Sequence, residues 1–342
     1  MGSRAQPANG TEAASLRYVD PSSSGYVRKR SGRGFRYLTG DGAALRDPAA
    51  LERVRSLVIP PAWTSVWICP GPDGHIQAVG HDARGRRQYI YHPRFREARE
   101  AAKFEHMLAF ARALPRLRRR VAKDMAAPGH DRRKVLATVV NLLETTLIRV
   151  GSETYARENG SFGLTTLRTR HVEVNGAELR FHFKGKSGKT WRLRLRDRRL
   201  AAVVKGCQEL PGQHLFQYLD EGGDRQSVTS ADVNAYLKEA SGAPITAKDF
   251  RTWGGTILAA SMLAAAGPAA SPTAAKAEVA AAVRRVAASL GNTPAICRKC
   301  YVHPVVVSAY LEAGLVLDMG APAAGLHPEE AAVMAFLASR TG

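Results

Sequence analysis

The sequence predicts an α+β fold: a small β-rich N-terminal domain, then a larger, mainly helical domain containing a three-stranded β meander. Short apolar runs separated by Gly-rich turns fill the chain as far as Tyr91. Apolar residues at helical spacing take over after His92-Pro93. Between residues 171 and 195 two tight-turn signals interrupt the helical part, which places a compact β unit inside it.

Residues 1–15 are small and polar without periodicity and are expected to be a disordered tail. The β-rich domain is assigned to 16–100. Its breaks at Ser31-Gly32-Arg33-Gly34 and Pro70-Gly71-Pro72-Asp73-Gly74 bound strands at Ser65–Cys69, His75–Val79 and Gln88–Tyr91, with a helix over Pro48–Leu57. The helical domain is assigned to 101–342. Ala101–Leu114 has helical periodicity, Leu117–Met125 is strongly basic, and Val135–Ile148 carries one apolar stripe that ends beside Arg149. Asn175-Gly176 is a strong hairpin signal between strands at His171–Val174 and Leu179–Phe183. A second turn, Gly185-Lys186-Ser187-Gly188, leads into Trp191–Leu195 and puts Lys186 on an exposed tip. Thr246-Ala247-Lys248-Asp249 reads as a capping box that starts a helix bearing Arg251. Ser271-Pro272 opens an Ala-rich helix that Gly291 stops, and a last helix is expected to begin near Pro304.

The 342 residues suit two domains, and a 45% hydrophobic share suffices for a core. Fifty Lys+Arg against 30 Asp+Glu leave a net charge of +20. The cations are dense from Arg84 to Lys134 and nearly absent after His303, an uneven surplus that points to a polyanion. In that setting Arg116–Arg120 is expected to touch phosphates. Four cysteines are too few for a disulfide framework, and no apolar run is long enough to span a membrane. The expectation is an intracellular, cytoplasmic protein with reduced thiols.

Arg298-Lys299-Cys300-Tyr301 sets a phenol beside cations, and upstream lie Arg149 in Ile-Arg-Val-Gly, Lys186 in Phe-Lys-Gly-Lys and Arg251 in Asp-Phe-Arg-Thr-Trp. A DNA phosphodiester resists attack because it is anionic and its leaving alkoxide is poor. A protein acting without a metal must neutralise the non-bridging oxygens, supply a nucleophile and protonate the departing oxygen. Arginine suits the first task because its planar fork binds two oxygens and stays charged. Lysine suits the last because its pKa falls readily near other cations. A phenol with a pKa of about 10 is scarcely ionised at neutral pH, and neighbouring guanidiniums favour its phenolate. No Asp/Glu cluster of the Mg²⁺-binding kind is present, so no metal or cofactor is expected.

Taken with their flanks, these residues carry a resemblance. Ile148-Arg149-Val150-Gly151-Ser152-Glu153-Thr154-Tyr155 with Gly163-Leu164-Thr165-Thr166-Leu167 resembles the first catalytic motif of type IB DNA topoisomerases, in their compact poxvirus-like bacterial group. Phe183–Lys186, Lys248–Trp253 and Gly291–Tyr301 match the later motifs in order and spacing, and Asp82–Tyr91 resembles the family's DNA-reading strand. The resemblance implies that Tyr301 forms a 3′-phosphotyrosyl bond, that Arg149 and Arg251 stabilise the transition state, and that Lys186 protonates the 5′-oxygen. It also implies DNA contacts by Gln88, Tyr89, Tyr91 and Tyr155, with Arg84 and Arg86 in the same strand motif. The implied activity is relaxation of supercoils of either sign without ATP or metal, by a monomer that encircles duplex DNA as a two-lobed clamp. Asn292 stands where poxvirus enzymes have histidine, so its part would be that of a neutral donor.

Two other readings compete. Tyrosine recombinases use the same tetrad, but the β-rich first domain and the Arg84–Tyr91 segment argue against one. A non-catalytic DNA-binding protein would have no need for this spacing of Arg, Lys, Arg and Tyr. Gly185–Thr190 lacks the first glycine of a Walker A loop and is followed by a strand. Cys297, Cys300 and His303 have no well-spaced fourth ligand for zinc.

Overall fold

The computed structural model describes residues 16–320 and 323–341, so the expectation for the 1–15 tail lies outside the described residues. The chain divides into two compact units, Met1–Phe104 and Glu105–Gly342.

The first unit is an antiparallel sheet. Its strands are β1 (Tyr26–Ser31), β2 (Gly34–Leu38), β3 (Thr64–Ile68), β4 (Ile76–His81) and β5 (Arg87–Tyr91), in spatial order β2-β1-β3-β4-β5. Helix α1 (Pro48–Ser56) begins at Asp47, whose carboxylate accepts from the Ala49 and Ala50 amides, and has proline in its first turn. It contributes Ala50 and Val54 to a core of Leu45, Ile59, Val66, Ile68 and Ala78. Arg28 is a structural cation here. It is buried, donates to the carbonyls of Ile59, Pro60 and Trp63 at 2.9 Å each, and stacks over Phe35.

The long helix α2 (Pro93–Ala126) runs through Pro115 without ending, because Leu114, Leu117 and Val121 around the proline are all buried. Helix α3 (Arg132–Thr146) is the centre of the second unit. Val135 through Val140 are buried in succession, so it is enclosed nearly all round where a single stripe was expected. After α4 (Glu153–Asn159) comes the three-stranded sheet of β6 (Val172–Asn175), β7 (Glu178–Lys184) and β8 (Thr190–Arg196), in the order β6-β7-β8. Leu179, Phe181 and Phe183 of β7 face the core while Arg180, His182 and Lys184 face outward.

Helix α5 (Arg198–Glu209), the short hairpin of β9 (Gln217–Leu219) and β10 (Arg225–Ser227), and α6 (Ser230–Ser241) complete one side. Helices α7 (Ala247–Ala266), α8 (Pro272–Leu290), α9 (Pro294–Cys300), α10 (Pro304–Ala313) and α11 (Pro328–Thr341) follow.

Three expectations need correction. Helices do not finish with the one at Pro304, because α11 docks through Glu330, which receives Arg118 Nη2 at 2.8 Å and Trp253 Nε1 at 3.1 Å. His171 does not lie on a strand. It closes a 3₁₀ turn in which its Nδ1 accepts the Arg168 amide at 3.0 Å, and burial followed by the nearby Arg170 and Arg168 charges lowers its pKa to about 4. The basic run at 116–120 is not uniformly available to an anion: Arg118 pairs with Glu144 and Glu330, and Arg120 with Asp124 and Glu239.

Candidate active site

Arg149 is positioned by the way α3 stops. Leu147 turns left-handed at φ 55°, Ile148 is buried, and the next carbonyls join a second segment. The Leu164 amide donates to the Arg149 carbonyl at 2.9 Å and the Thr165 amide to the Val150 carbonyl at 2.7 Å. The crossing depends on glycine. Gly151 has φ 108°, and a Cβ on Gly163 would lie 2.5 Å from the Arg149 carbonyl oxygen. The side chain then reaches Asn292, with Nη2 donating to Oδ1 at 2.5 Å.

Arg251 belongs to the first turns of α7, whose capping box is present: the Thr246 amide donates to Asp249 Oδ2 at 2.7 Å. The residue is only 3% exposed, so it is a buried cation that needs partners. Nη2 donates to the Leu290 carbonyl at 2.8 Å and Nη1 to the Leu147 carbonyl. Nε has no partner among the described residues. Burial first, and then the charge of Arg149, pull its pKa below the usual arginine range.

Tyr301 closes α9, and α7 and α8 hold it there. Helix α8 ends at Gly291 (φ 60°), the Asn292 amide returns to the Ala287 carbonyl at 2.9 Å, and Thr293 caps α9. Thr256 Oγ1 donates to the Tyr301 carbonyl at 3.3 Å and accepts the His303 amide at 3.1 Å. Opposite, a Cβ on Gly255 would sit 2.6 Å from the Tyr301 carbonyl oxygen, so helix and tyrosine approach through a glycine. The ring centroid lies 5.1 Å from the Arg251 guanidinium carbon. Burial opposes ionisation of the phenol, but the adjacent Arg251 guanidinium, and then the charge of Arg149, outweigh it, and its pKa falls below the ordinary tyrosine value.

Arg149, Arg251, Asn292 and Tyr301 are thus brought together. Two buried donors in this group, Arg251 Nε and Asn292 Nδ2, have no acceptor among the described residues. Each such orphan costs about 1–3 kcal/mol, and both lie where an anion would be surrounded by donors. Cys297 is buried beside them, with its thiol pKa raised chiefly by that burial.

Lys186 stands apart from this group on its exposed loop. Its Nζ lies 5.9 Å from the ring of Tyr155. In the first unit, Asp82 organises the other predicted residues: Oδ2 accepts from Arg86 Nε at 2.8 Å and from Gln88 Nε2 at 3.0 Å, and Oδ1 accepts the Arg84 and Arg86 amides. That bonding, led by Arg86, lowers the Asp82 pKa to about 2. The pleat sets Gln88 with Ile90, which packs on the core, and puts Tyr89 and Tyr91 on the other face, stacked 5.7 Å apart.

Sequence reasoning missed Gly255, Thr256 and the two carbonyls that grip Arg251. One signal was available. Gly254-Gly255 inside a helical pattern costs about 1 kcal/mol per glycine relative to alanine, and so implies a packing reason.

Comparison with known proteins agrees with this architecture. Residues 92–313 match the family model of the eukaryotic DNA topoisomerase I catalytic core, and residues 34–82 match that of the bacterial DNA topoisomerase IB N-terminal domain. DNA topoisomerase 1B of Acanthamoeba polyphaga mimivirus is 32% identical over 293 residues, 84% of this chain and 87% of that protein. DNA topoisomerase 1B of Vaccinia virus (strain Copenhagen) is 26% identical over 237 residues, 67% of this chain and 70% of that one. The chain belongs to the type IB DNA topoisomerase family, with the N-terminal domain of its bacterial members. It is an enzyme that changes DNA topology, and no helix among its described residues is long and apolar enough to cross a membrane.

Proposed function

We propose that this chain relaxes supercoiled duplex DNA of either sign by cutting one strand at Tyr301, letting it swivel and resealing it, with no ATP and no required metal. The observation that carries the proposal is the pair of unpartnered buried donors, Arg251 Nε and Asn292 Nδ2, beside a phenol of lowered pKa. They support a site built to surround the oxygens of a phosphodiester.

In cleavage the Tyr301 phenol loses its proton to solvent and its oxygen bonds to phosphorus. The bond from phosphorus to the 5′-oxygen breaks, and Lys186 gives that oxygen a proton. Arg149, Arg251 and Asn292 neutralise and hydrogen-bond the equatorial oxygens as charge accumulates on them. Religation reverses each step: the 5′-hydroxyl attacks, the proton returns to Lys186, and tyrosine leaves. One P–O bond replaces another, so no nucleotide hydrolysis is needed.

Tyr155, Arg84, Arg86, Gln88, Tyr89 and Tyr91 are proposed as DNA contacts. The protein is proposed to act on the nucleoid as a monomer whose two units encircle the duplex. The test is relaxation of positively and negatively supercoiled plasmid in EDTA without ATP. Wild type should relax both, and Tyr301→Phe neither, with DNA binding retained. A requirement for Mg²⁺ or ATP, or full activity in Tyr301→Phe, defeats the reading.

A further inference from the structure

Trp191 lies between two segments of the site and belongs to neither. It is on β8 opposite Phe183, and the two rings stack with centroids 6.1 Å apart and planes within 4°. Phe183 is itself buried, so the indole is fixed from one side by the core. Its pyrrole edge meets the Lys186 hairpin. A Cβ on Gly185 would be 2.6 Å from Trp191 Nε1 and 2.7 Å from Cδ1. The adjoining benzo edge meets the turn that ends α8, where a Cβ on Gly291 would be 2.9 Å from Trp191 Cζ2. One side chain therefore touches the residue before Lys186 and the residue before Asn292. At both contacts glycine is the residue that lets the backbone come so close.

At the base of the hairpin the Lys184 carbonyl accepts the Phe162 amide at 2.7 Å, and beyond it the loop's backbone bonds are internal. Ser187 and Gly188 are left-handed at φ 62° and 77°, and the loop is closed by Gly185 N–H to the Lys189 carbonyl at 2.8 Å and Gly188 N–H to the Gly185 carbonyl at 3.1 Å. Those bonds shape the turn without setting its distance from α8 and α9. The stacked indole lies against both sides of that gap.

We infer that Trp191 is a positioning residue for proton donation: it spaces the Lys186 loop from the Asn292–Tyr301 segment so that the ammonium meets the leaving 5′-oxygen. This rests on Lys186 being the acid. A misplacement of about 1 Å can cost about 100-fold in rate, and general-acid catalysis is itself worth about 10²–10⁴-fold. A shift of the loop is therefore enough to be seen.

The experiment is single-turnover cleavage of two duplexes, one with the natural 5′-oxygen at the scissile bond and one with 5′-bridging sulfur, which leaves without a proton donor. Trp191→Ala is expected to cleave the oxygen duplex about 100-fold more slowly. It should cleave the sulfur duplex near the wild-type rate, with DNA affinity unchanged. Trp191→Phe, which keeps a flat ring, should recover most of the loss. Adding Trp191→Ala to Lys186→Ala should cost nothing further on the oxygen duplex. Gly185→Ala pushes the loop from the other side of the contact at an ordinary φ of −94°, and should show the same preference for sulfur even if Trp191→Ala does not fold. Equal losses on both duplexes, or no loss on the oxygen duplex, overturn the inference. Should Lys186→Ala itself gain nothing from sulfur, the acid assignment falls and the inference with it. Rescue of Lys186→Ala without rescue of Trp191→Ala sinks the inference alone.

Discussion

Asn292 does two separable things in this site. Oδ1 receives a guanidinium hydrogen bond from Arg149, while Nδ2 is buried with no acceptor of its own among the described residues. An amide can serve an arginine and an anion together because it has an acceptor end and a donor end. Substitution can split these roles. Asn292→Asp keeps an oxygen for Arg149 but loses the donor and sets a negative charge against the phosphate. Asn292→Ala loses both ends. If the donor matters, single-turnover cleavage in each variant should fall by about 100-fold, the usual cost of removing one such donor, with DNA affinity maintained in Asn292→Ala. Asn292→His restores a ring N–H and should remain active. Wild-type cleavage by Asn292→Asp would reduce Asn292 to a prop for Arg149, and inactivity of Asn292→His would show that the pocket cannot take a ring.

At the scale of elements, α7 carries Arg251 near its start and receives Tyr301 one turn later. Its adjacent glycines are not equivalent. The atoms nearest a methyl on Gly254 belong to the Leu147 side chain, whose terminal methyls lie 2.9 Å away, whereas one on Gly255 meets the Tyr301 carbonyl oxygen at 2.6 Å and Tyr301 Cβ at 3.2 Å. Helix propensity alone would favour alanine at either position by about 1 kcal/mol. Gly254→Ala should therefore fold with near-native stability and cleave DNA. Gly255→Ala should lose about 1–3 kcal/mol in denaturant melts, as overpacked sites do, and lose most of its cleavage because Tyr301 is displaced from Arg251. Equal behaviour of the two variants would refute this account of the seat. The contrast also marks how far the sequence was legible. Capping at Thr246–Asp249, the Gly185–Gly188 turn and the apolar stripe ending beside Arg149 are local signals, and the elements that bear Arg251, Lys186 and Arg149 were readable from them, whereas Tyr301 was expected in or beside an interhelical connection and instead closes the short helix α9. The grip on Arg251 by the carbonyls of Leu147 and Leu290 joins residues far apart in sequence and leaves no local pattern. Helix α11 was missed for a similar reason, since its docking through Glu330 to Arg118 and Trp253 is tertiary.

For the whole molecule, the surplus of 50 cations over 30 carboxylates is the largest physical fact, but its members differ in availability. Arg118 is held by Glu144 and Glu330, and the latter carboxylate is almost fully buried. On β8 the outward Arg192 and Arg194 face His182 and Arg180 across the ladder, where like charges are unfavourable unless an anion lies near. Binding to duplex DNA should be driven largely by counterion release. With about 6–10 phosphates contacted, affinity should fall by about 10³–10⁵ between 50 and 200 mM salt. Fluorescence anisotropy with Tyr301→Phe, which cannot cleave, measures that slope. Arg192→Ala and Arg194→Ala should each flatten it by about one unit if those side chains touch phosphates. Arg118→Ala should leave the slope alone and instead lower stability by about 3 kcal/mol, because it abandons a buried carboxylate. A slope that Arg118→Ala changes, in a protein that melts normally, would mean its ion pairs open to DNA and that the division drawn between structural and binding cations is wrong.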